Sequence, residues 1–342
     1  MSAEDILTRG IVRAAGFGPG TRASLLVEQG SDRLFYRLRL GERDAVLMVS
    51  PRNDPDFPRY VEIGRYLHRM GLGAPEIHET DPETCSLVME DLGDETLYAV
   101  ASRATDVRAL AARYRAVLTL LARLQVETRD TLADCPSAAE RALDMKRLRW
   151  ETDYFRENFL QGECGLSAER TSALTDEFER LAAAVEREQP PGPLIHRDFQ
   201  SMNIMFKDAM VRVVDFQGAR RGGCAYDLAS LLKDAYVDFP ATLRGELLEF
   251  FRRELVSRSG AALEREALAR AFLLAGLQRN MQALGAFSFL TRVKKKRGFR
   301  RFIAPCLRRL REGLDELDAP PGPLTELARI CAALETAPEK AF

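Results

Sequence analysis

Apolar residues from Val107 to Leu124 recur at steps of three and four: Val107, Leu110, Tyr114, Val117, Leu121 and Leu124. That spacing lines one face of a helix. Upstream the pattern differs. The segment ASLLVEQGSDRLFYRLRLGERDAVLMVS, residues 23–50, holds three short apolar or alternating runs. Gly30-Ser31-Asp32 and Gly41-Glu42-Arg43-Asp44 separate them with hairpin-turn chemistry, which predicts strands. A helix is expected over Arg59–Met70, and a further strand in CSLVMEDLG, ended by Gly93. Beyond Val107 more helices are expected at 138–160, 167–187, 226–236, 242–258, 263–285 and 303–316. Short strands return only at 191–215. DAPPGPL, 318–324, reads as a connector to a last helix. The predicted class is α+β: a small sheet-rich lobe, residues 1–92, then a larger helical lobe, 93–342, carrying one polar hairpin.

Composition narrows the function without naming it. With 342 residues, 46% hydrophobic and 30% charged, the chain can bury a core of two lobes. A net charge of −1 sets up no field toward nucleic acid or anionic lipid. No apolar run reaches the roughly 18 residues of a membrane span, and the acidic start MSAEDILTRG is not a secretion signal. Six cysteines form no CxxC pair and three histidines are scattered, so the pattern offers no zinc site. Isolated thiols fit a reducing cytoplasm.

The chemistry concentrates in LIHRDFQSMNIMFKDAMVRVVDFQGARRGGCAYDLASLL, residues 194–232. Asp198 precedes Asn203 by five positions, and Asp215 follows the apolar run VRVV. A tight turn at Lys207–Met210 folds two strands together and brings Asn203 beside Asp215. Their side chains offer oxygen ligands for a hard cation such as magnesium, which takes one or two protein ligands plus phosphate and water. Asp198 lies near enough to orient an attacking hydroxyl. Taken singly, each of the three is an ordinary turn former. Taken together, in this order, they are the equipment of phosphoryl transfer.

This stretch resembles the catalytic and metal-binding loops of the protein-kinase-like aminoglycoside phosphotransferase superfamily. The pattern HRD…N…DFQ…YDL is most similar to its anomeric amino-sugar branch, the N-acetylmuramate/N-acetylglucosamine kinases of cell-wall recycling. The resemblance runs upstream through AVLMVSPRNDPDFPRYVEIGRYLHRMGLGAPEIHETD and LVMEDLGDETLY and downstream to LQRNMQALGAF, and so covers most of residues 25–290. It implies a bilobal fold with ATP between the lobes, Asp198 as the catalytic residue, and Asn203 and Asp215 holding magnesium. Glu90, Asp91 and Leu92 become the hinge beside adenine, and His196 and Asp227 brace the loop.

The sequence departs from the kinase pattern at three places. Met48 stands where the third strand usually carries a phosphate-binding lysine, as an apolar residue does in the branch this chain resembles. Arg33 and Arg37 are the candidates to replace that lysine, since guanidinium suits phosphate, though each is as readily a solvated strand arginine. The phosphate-covering turn has one glycine, with Gly30, Ser31 and Asp32 able to offer backbone N–H groups. Gln217 replaces the glycine of the usual loop, a mark of the resembling branch. Gln200 either reaches substrate or faces water.

Acceptor groups are expected from the helical lobe. Arg149, Glu151 and Asp153 surround Trp150, itself read as core. Asp234 follows the helix that Asp227 opens. Gln278, Arg279 and Asn280 interrupt an apolar helix, as a substrate pocket or as an internal brace. RVKKKRGFRRF, 292–302, carries seven basic side chains in eleven residues, either a solvated face or an attractor of acidic groups. The expected reaction is ATP γ-phosphoryl transfer to a monosaccharide hydroxyl, most readily an anomeric one on an N-acetylated or acidic sugar. An aminoglycoside or other small-molecule kinase, or a nucleotide-binding pseudokinase scaffold, are the alternatives. The expected partner is a small-molecule sugar, not membrane or nucleic acid.

Overall fold

A computed structural model describes residues 10–26, 32–189, 192–238, 240–317 and 322–335. A short helix α1, Gly10–Ala14, precedes strands β1, Arg22–Leu25, β2, Leu34–Leu40, and β3, Arg43–Val49. Helix α2, Phe57–Arg69, leads to β4, Ile77–Asp81, and β5, Ser86–Met89. The five strands form an antiparallel sheet in the order β1-β2-β3-β5-β4. Gly30 and Ser31 lie outside the described residues. The second hairpin turns at Gly41, whose φ of 60° suits glycine.

Period-2 alternation sorts β3 between two layers. Ala45 and Leu47 face the cluster that α1 covers, with Ile11, Val12 and Phe17. Val46 and Met48 face the opposite cluster, with Phe57, Tyr60 and Ile63 of α2. Met48 is therefore fully buried. The strand position that would carry a phosphate-binding lysine here fills core.

The chain leaves the sheet at Glu90 and becomes helical. Helix α3 spans Leu97–Arg103 and α4 Val107–Glu127, where the predicted apolar stripe is buried from Leu110 to Leu124. Helix α5, Met145–Phe155, starts later than expected, because Asp144 caps it by accepting the N–H of Arg147 at 2.9 Å. It runs into a π-helical stretch, Arg156–Glu163. The helix expected at 167–187 is broken after Ser172 and resumes as α6, Thr175–Glu188. Beyond the polar hairpin come α7, Cys224–Leu232, α8, Ala241–Ser259, α9, Arg265–Arg292, α10, Ile303–Asp315, and α11, Thr325–Glu335. Helix α9 is buried along most of its 28 residues and packs against α5, α7 and α10. Among the described residues no helix is long and apolar enough to cross a membrane.

The basic side chains of the run face solvent or are half-buried, although no single element carries them. Arg292 ends α9, a 3₁₀ turn spans Arg297–Phe302, and Phe302 is buried.

Candidate active site

The polar hairpin closes as its turn residues require. Strands β6, Leu194–Ile195, and β9, Arg220–Arg221, pair with each other, and β7, Ile204–Lys207, pairs with β8, Met210–Val213. Asp208 and Ala209 both take positive φ, 50° and 62°, giving a two-residue turn whose twist matches antiparallel strands. Ile204 then stands opposite Val213, and the Val214 N–H donates to the Asn203 carbonyl at 3.0 Å. Asn203 and Asp215 are thus brought to one end of the hairpin, as their spacing predicts.

Buried polar groups fix the loop between β6 and β7. The Asp227 carboxylate accepts the N–H groups of His196 and Arg197 at 2.6 and 2.8 Å. Asp234 accepts the Ser201 N–H at 2.8 Å and the Tyr236 N–H at 2.9 Å. The His196 Nε2 meets the Val214 carbonyl at 3.0 Å, so the buried ring ties this loop to the residue before Asp215. A carbonyl only accepts, which makes Nε2 the protonated nitrogen. Burial pushes the imidazole below its ordinary range, in keeping with a neutral brace.

Asp198 sits at the loop's apex with its side chain 22% exposed. Asn203 Nδ2 donates to the Asp198 carbonyl at 2.9 Å, and Arg279 Nη2 donates to its carboxylate at 3.2 Å. Arg197 lies 3.5 Å from the other carboxylate oxygen. Burial alone would raise this carboxyl, but the guanidinium charges of Arg197 and Arg279 outweigh it and hold it below its usual value. Asp198 is therefore an anion at neutral pH. Asp215 takes the left-handed conformation, φ 65°, and accepts Gln217 Nε2 on Oδ1 at 3.0 Å. Among the described residues its Oδ2 and the Asn203 Oδ1 have no hydrogen-bond partner, and both side chains line one cavity. Two hard oxygen donors fit a magnesium ion that keeps water and phosphate as its other ligands.

Phe216 supports this arrangement from below. Its ring packs at a 36° tilt on Tyr60 of α2, 4.6 Å between centroids, and passes against Gly64, where a Cβ would come within 2.9 Å.

Two cavities meet at Asp215. One, of about 300 Å³, lies between the lobes and is lined by Phe35, Val46, Met89, Leu92, Met205 and Asp215 among others. The second, of about 440 Å³, is lined by Asp198, Gln200, Asn203, Asp215, Gln217, Arg279 and Gln282 and by the rings of Tyr154, Tyr236, Phe287, Phe289 and Phe299.

Several residues expected at these cavities do other work. Arg37 donates to Asp91 and, at 3.0 Å, to Asp94, so it braces the hinge and has no free fork for phosphate. Arg33 is held by Asp54 at 3.1 Å. Asp32 pairs with Lys294 at 2.6 Å, linking the first hairpin to the basic run. Glu90 is bound by Arg212 and, at 3.0 Å, by Lys207, so its side chain fastens the hinge to the polar hairpin. Burial opposes its ionisation, but these two cations more than offset that and hold it at about 2. Glu90→Gln is expected to lower stability by about 2 kcal/mol at pH 7. The depressed carboxylate confers its stability above the ordinary value near 4.5 and loses it as pH falls toward about 2. Denaturant melts of both proteins should therefore converge over that window.

The acceptor-side expectations separate by helical geometry. Consecutive residues on a helix point about 100° apart, so Gln278, Arg279 and Asn280 cannot share a pocket. Arg279 alone reaches it, donating to Asp198 and, at 3.1 Å, to Gln200. Gln278 turns inward and donates to the Leu148 carbonyl at 2.9 Å, and Asn280 is buried on another face beside Cys306. Glu151 is fully buried and accepts from Tyr226 at 2.9 Å and Arg197 at 3.3 Å. Asp234 is spent on the loop backbone, and Arg149 points away, over the Phe178 ring and beside Asp153. Gln282, Ala283 and Phe287, which also line the second cavity, carry a signal in the sequence, since they follow Arg279 at helical steps of three, four and eight. Trp150 is not core: it is 45% exposed, stacked on Tyr154 at 5.0 Å.

The sequence profile of the phosphotransferase enzyme family matches residues 25–268. An N-acetylmuramate/N-acetylglucosamine kinase of Pseudomonas putida is 28% identical over 278 residues, 80% of this chain and 78% of that protein. A protein of the same name from Pseudomonas aeruginosa is 26% identical over 94% of this chain and 91% of its own. Among solved structures, a choline kinase from Cryptosporidium parvum Iowa II superposes with a TM-score of 0.65 at 14% identity, covering 97% of this chain and all of its own. The ADP-bound aminoglycoside phosphotransferase APH(2'')-Ib gives 0.56 at 18% identity, covering 86% and 93%. These likenesses show the protein-kinase-like fold.

Proposed function

This chain belongs to the phosphotransferase enzyme family, with an alcohol group as acceptor, and on that premise we propose that it moves the ATP γ-phosphoryl group to a hydroxyl of a monosaccharide. The anomeric hydroxyl of an N-acetylated amino sugar or acidic sugar is the favoured acceptor. The observation that carries this is the meeting of the two cavities at Asp215, with Asp198 facing the second. A nucleotide between the lobes would direct its terminal phosphate to that junction, and an acceptor in the second cavity would present its hydroxyl to Asp198.

The residues divide the work. Asp198 accepts the hydroxyl's hydrogen bond and aligns it for in-line attack. Its low proton affinity suits a loose transition state, where the nucleophile is deprotonated late. Asn203 and Asp215 would hold magnesium, which when bound offsets charge growing on the phosphate oxygens. Arg279 keeps Asp198 ionised and turned toward the cavity.

The lining supports a sugar over a polycation. Among the described residues its only carboxylates are Asp198 and Asp215, both already assigned, whereas several ammonium groups need several anions. Amide and guanidinium groups of Gln200, Gln217, Gln282 and Arg279 share the lining with aromatic rings, which suits an amphipathic ring with hydroxyl and carbonyl substituents. The relatives from both Pseudomonas species, named for N-acetylmuramate and N-acetylglucosamine, point to the same class. ADP release should be measured over N-acetyl sugars, uronic acids, hexoses and aminoglycosides. The expected result is turnover confined to N-acetylated or acidic sugars, with the phosphate on the anomeric oxygen by phosphorus NMR. Turnover of aminoglycosides alone, or ATP binding with no ADP release on any acceptor, would overturn the proposal.

A further inference from the structure

Three arginines meet around Gly218, in the segment that follows Asp215, and a fourth, Arg147, joins them through Glu151. Arg220, on β9, donates Nε to the Gly218 carbonyl at 2.9 Å. Arg141 donates to the flanking carbonyls of Gln217 and Ala219 at 2.9 and 2.7 Å. Arg197, on the catalytic loop, lies where a Cβ on Gly218 would come within 3.8 Å of its Nη1. Arg147 shares a Glu151 oxygen with Arg197, at 3.8 and 3.3 Å.

Their charges are poorly matched. Glu151 is the carboxylate that Arg147 and Arg197 share, and it also accepts from Tyr226 and Gln278. Asp198, the other anion nearby, is held by Arg279 as well. Among the described residues neither Arg141 nor Arg220 forms an ion pair. Arg220 is only 8% exposed, and its Nε bond to the Gly218 carbonyl is the hydrogen bond its side chain makes among the described residues. The Nε of Arg147 is buried without a hydrogen bond, the shared Glu151 oxygen being 3.8 Å away. A nearly buried guanidinium beside three others, with no anion of its own, is costly unless something supplies that anion.

We propose that Arg141, Arg147, Arg197 and Arg220 form a binding site for a tetrahedral oxyanion of the phosphate class, separate from the nucleotide and acceptor cavities. Arg220 and Arg147 keep N–H donors that suit phosphate oxygens, while Arg197, engaged by Glu151, and Arg141, engaged by the Ser137, Gln217 and Ala219 carbonyls, contribute mainly charge. None of Arg141, Arg147, Arg197 or Arg220 lines either cavity described above. Burial, followed by the repulsion of Arg197, Arg147 and Arg141, pushes Arg220 down to about 9, which a bound dianion would reverse. Occupancy would tie the catalytic loop, through Arg197, to the segment after Asp215, through Arg220 and Arg141. The anion thereby stiffens the two loops on which the phosphoryl-transfer residues are mounted. The source is either free phosphate or the phosphoryl group of a monoester.

The test is a thermal-shift and calorimetric titration with inorganic phosphate, at ionic strength held constant with sodium chloride. It is repeated in saturating Mg-ADP to block the nucleotide's own phosphate site. A saturable rise in Tm that survives Mg-ADP is expected, with affinity at least tenfold weaker in Arg220→Gln. Arg147→Gln, whose side chain is a quarter exposed, carries the test if Arg220→Gln does not fold, with the same expected loss. Lys295→Gln with Arg297→Gln, in the exposed basic run, should leave the response unchanged. Methyl phosphate distinguishes the sources: binding at least as tight as phosphate indicates a monoester, and no binding indicates the free ion. A rise that sodium chloride reproduces, that Mg-ADP abolishes, or that both arginine variants retain would remove the site. None of these outcomes depends on which acceptor the enzyme phosphorylates.

Discussion

Asp215→Ala is expected to lower kcat by about 10³-fold or more, because several kcal/mol of charge stabilisation on the transferring phosphate depends on the cation this carboxylate would hold. The residue lines both cavities, so nothing else in the site can take its place at their junction. Its left-handed backbone complicates the alanine variant, since a Cβ-bearing residue without a polar side chain tolerates φ near 65° less well. Asp215→Asn keeps the shape and that tolerance while removing the charge. Both variants should show the large loss in ADP release, with circular dichroism close to the parent and, for Asp215→Asn, Tm close to it as well. Activity within a few-fold of the parent in Asp215→Asn would refute the assignment.

Asp198→Asn is expected to cost about 10²–10⁴-fold in kcat, the range for losing a positioned proton acceptor. Asparagine can still accept from Arg279, so the fold and the affinity for Mg-ATP should change little. The depressed proton affinity of Asp198 gives a second readout. A carboxyl held below its ordinary value stays ionised through neutral pH, so Asp198 should contribute no acid limb to kcat above about pH 4. An acid limb near pH 6 that disappears in Asp198→Asn would show instead a protonated acid in the resting enzyme.

Much of this site is legible in the amino-acid sequence. The order Asp198, Asn203, Asp215 around a tight turn predicts their convergence, and strand register delivers it with Ile204 opposite Val213. The apolar stripe of α4 and the alternation of β2 and β3 likewise become the buried faces. Local rules suffice where one residue's neighbours in sequence are also its neighbours in space.

The acceptor side is less legible for the same reason reversed. Gln278, Arg279 and Asn280 are adjacent in sequence but face three directions on a helix, and only Arg279 meets Asp198, 81 residues away. Glu151, Asp234 and Arg37 carry the charge that binding demands, yet each is consumed by a distant partner: the Arg197 guanidinium, the Ser201 backbone N–H and the Asp91 carboxylate. The aromatic lining of the pocket comes from Tyr154, Tyr236, Phe289 and Phe299, which no single segment announces. The sequence by itself determined the two lobes, the hairpin and the three oxygen-bearing residues, because periodicity and turn chemistry act over a few positions. Only the tertiary structure decided which polar side chains face open space and which are neutralised, because that depends on partners brought together across the whole chain.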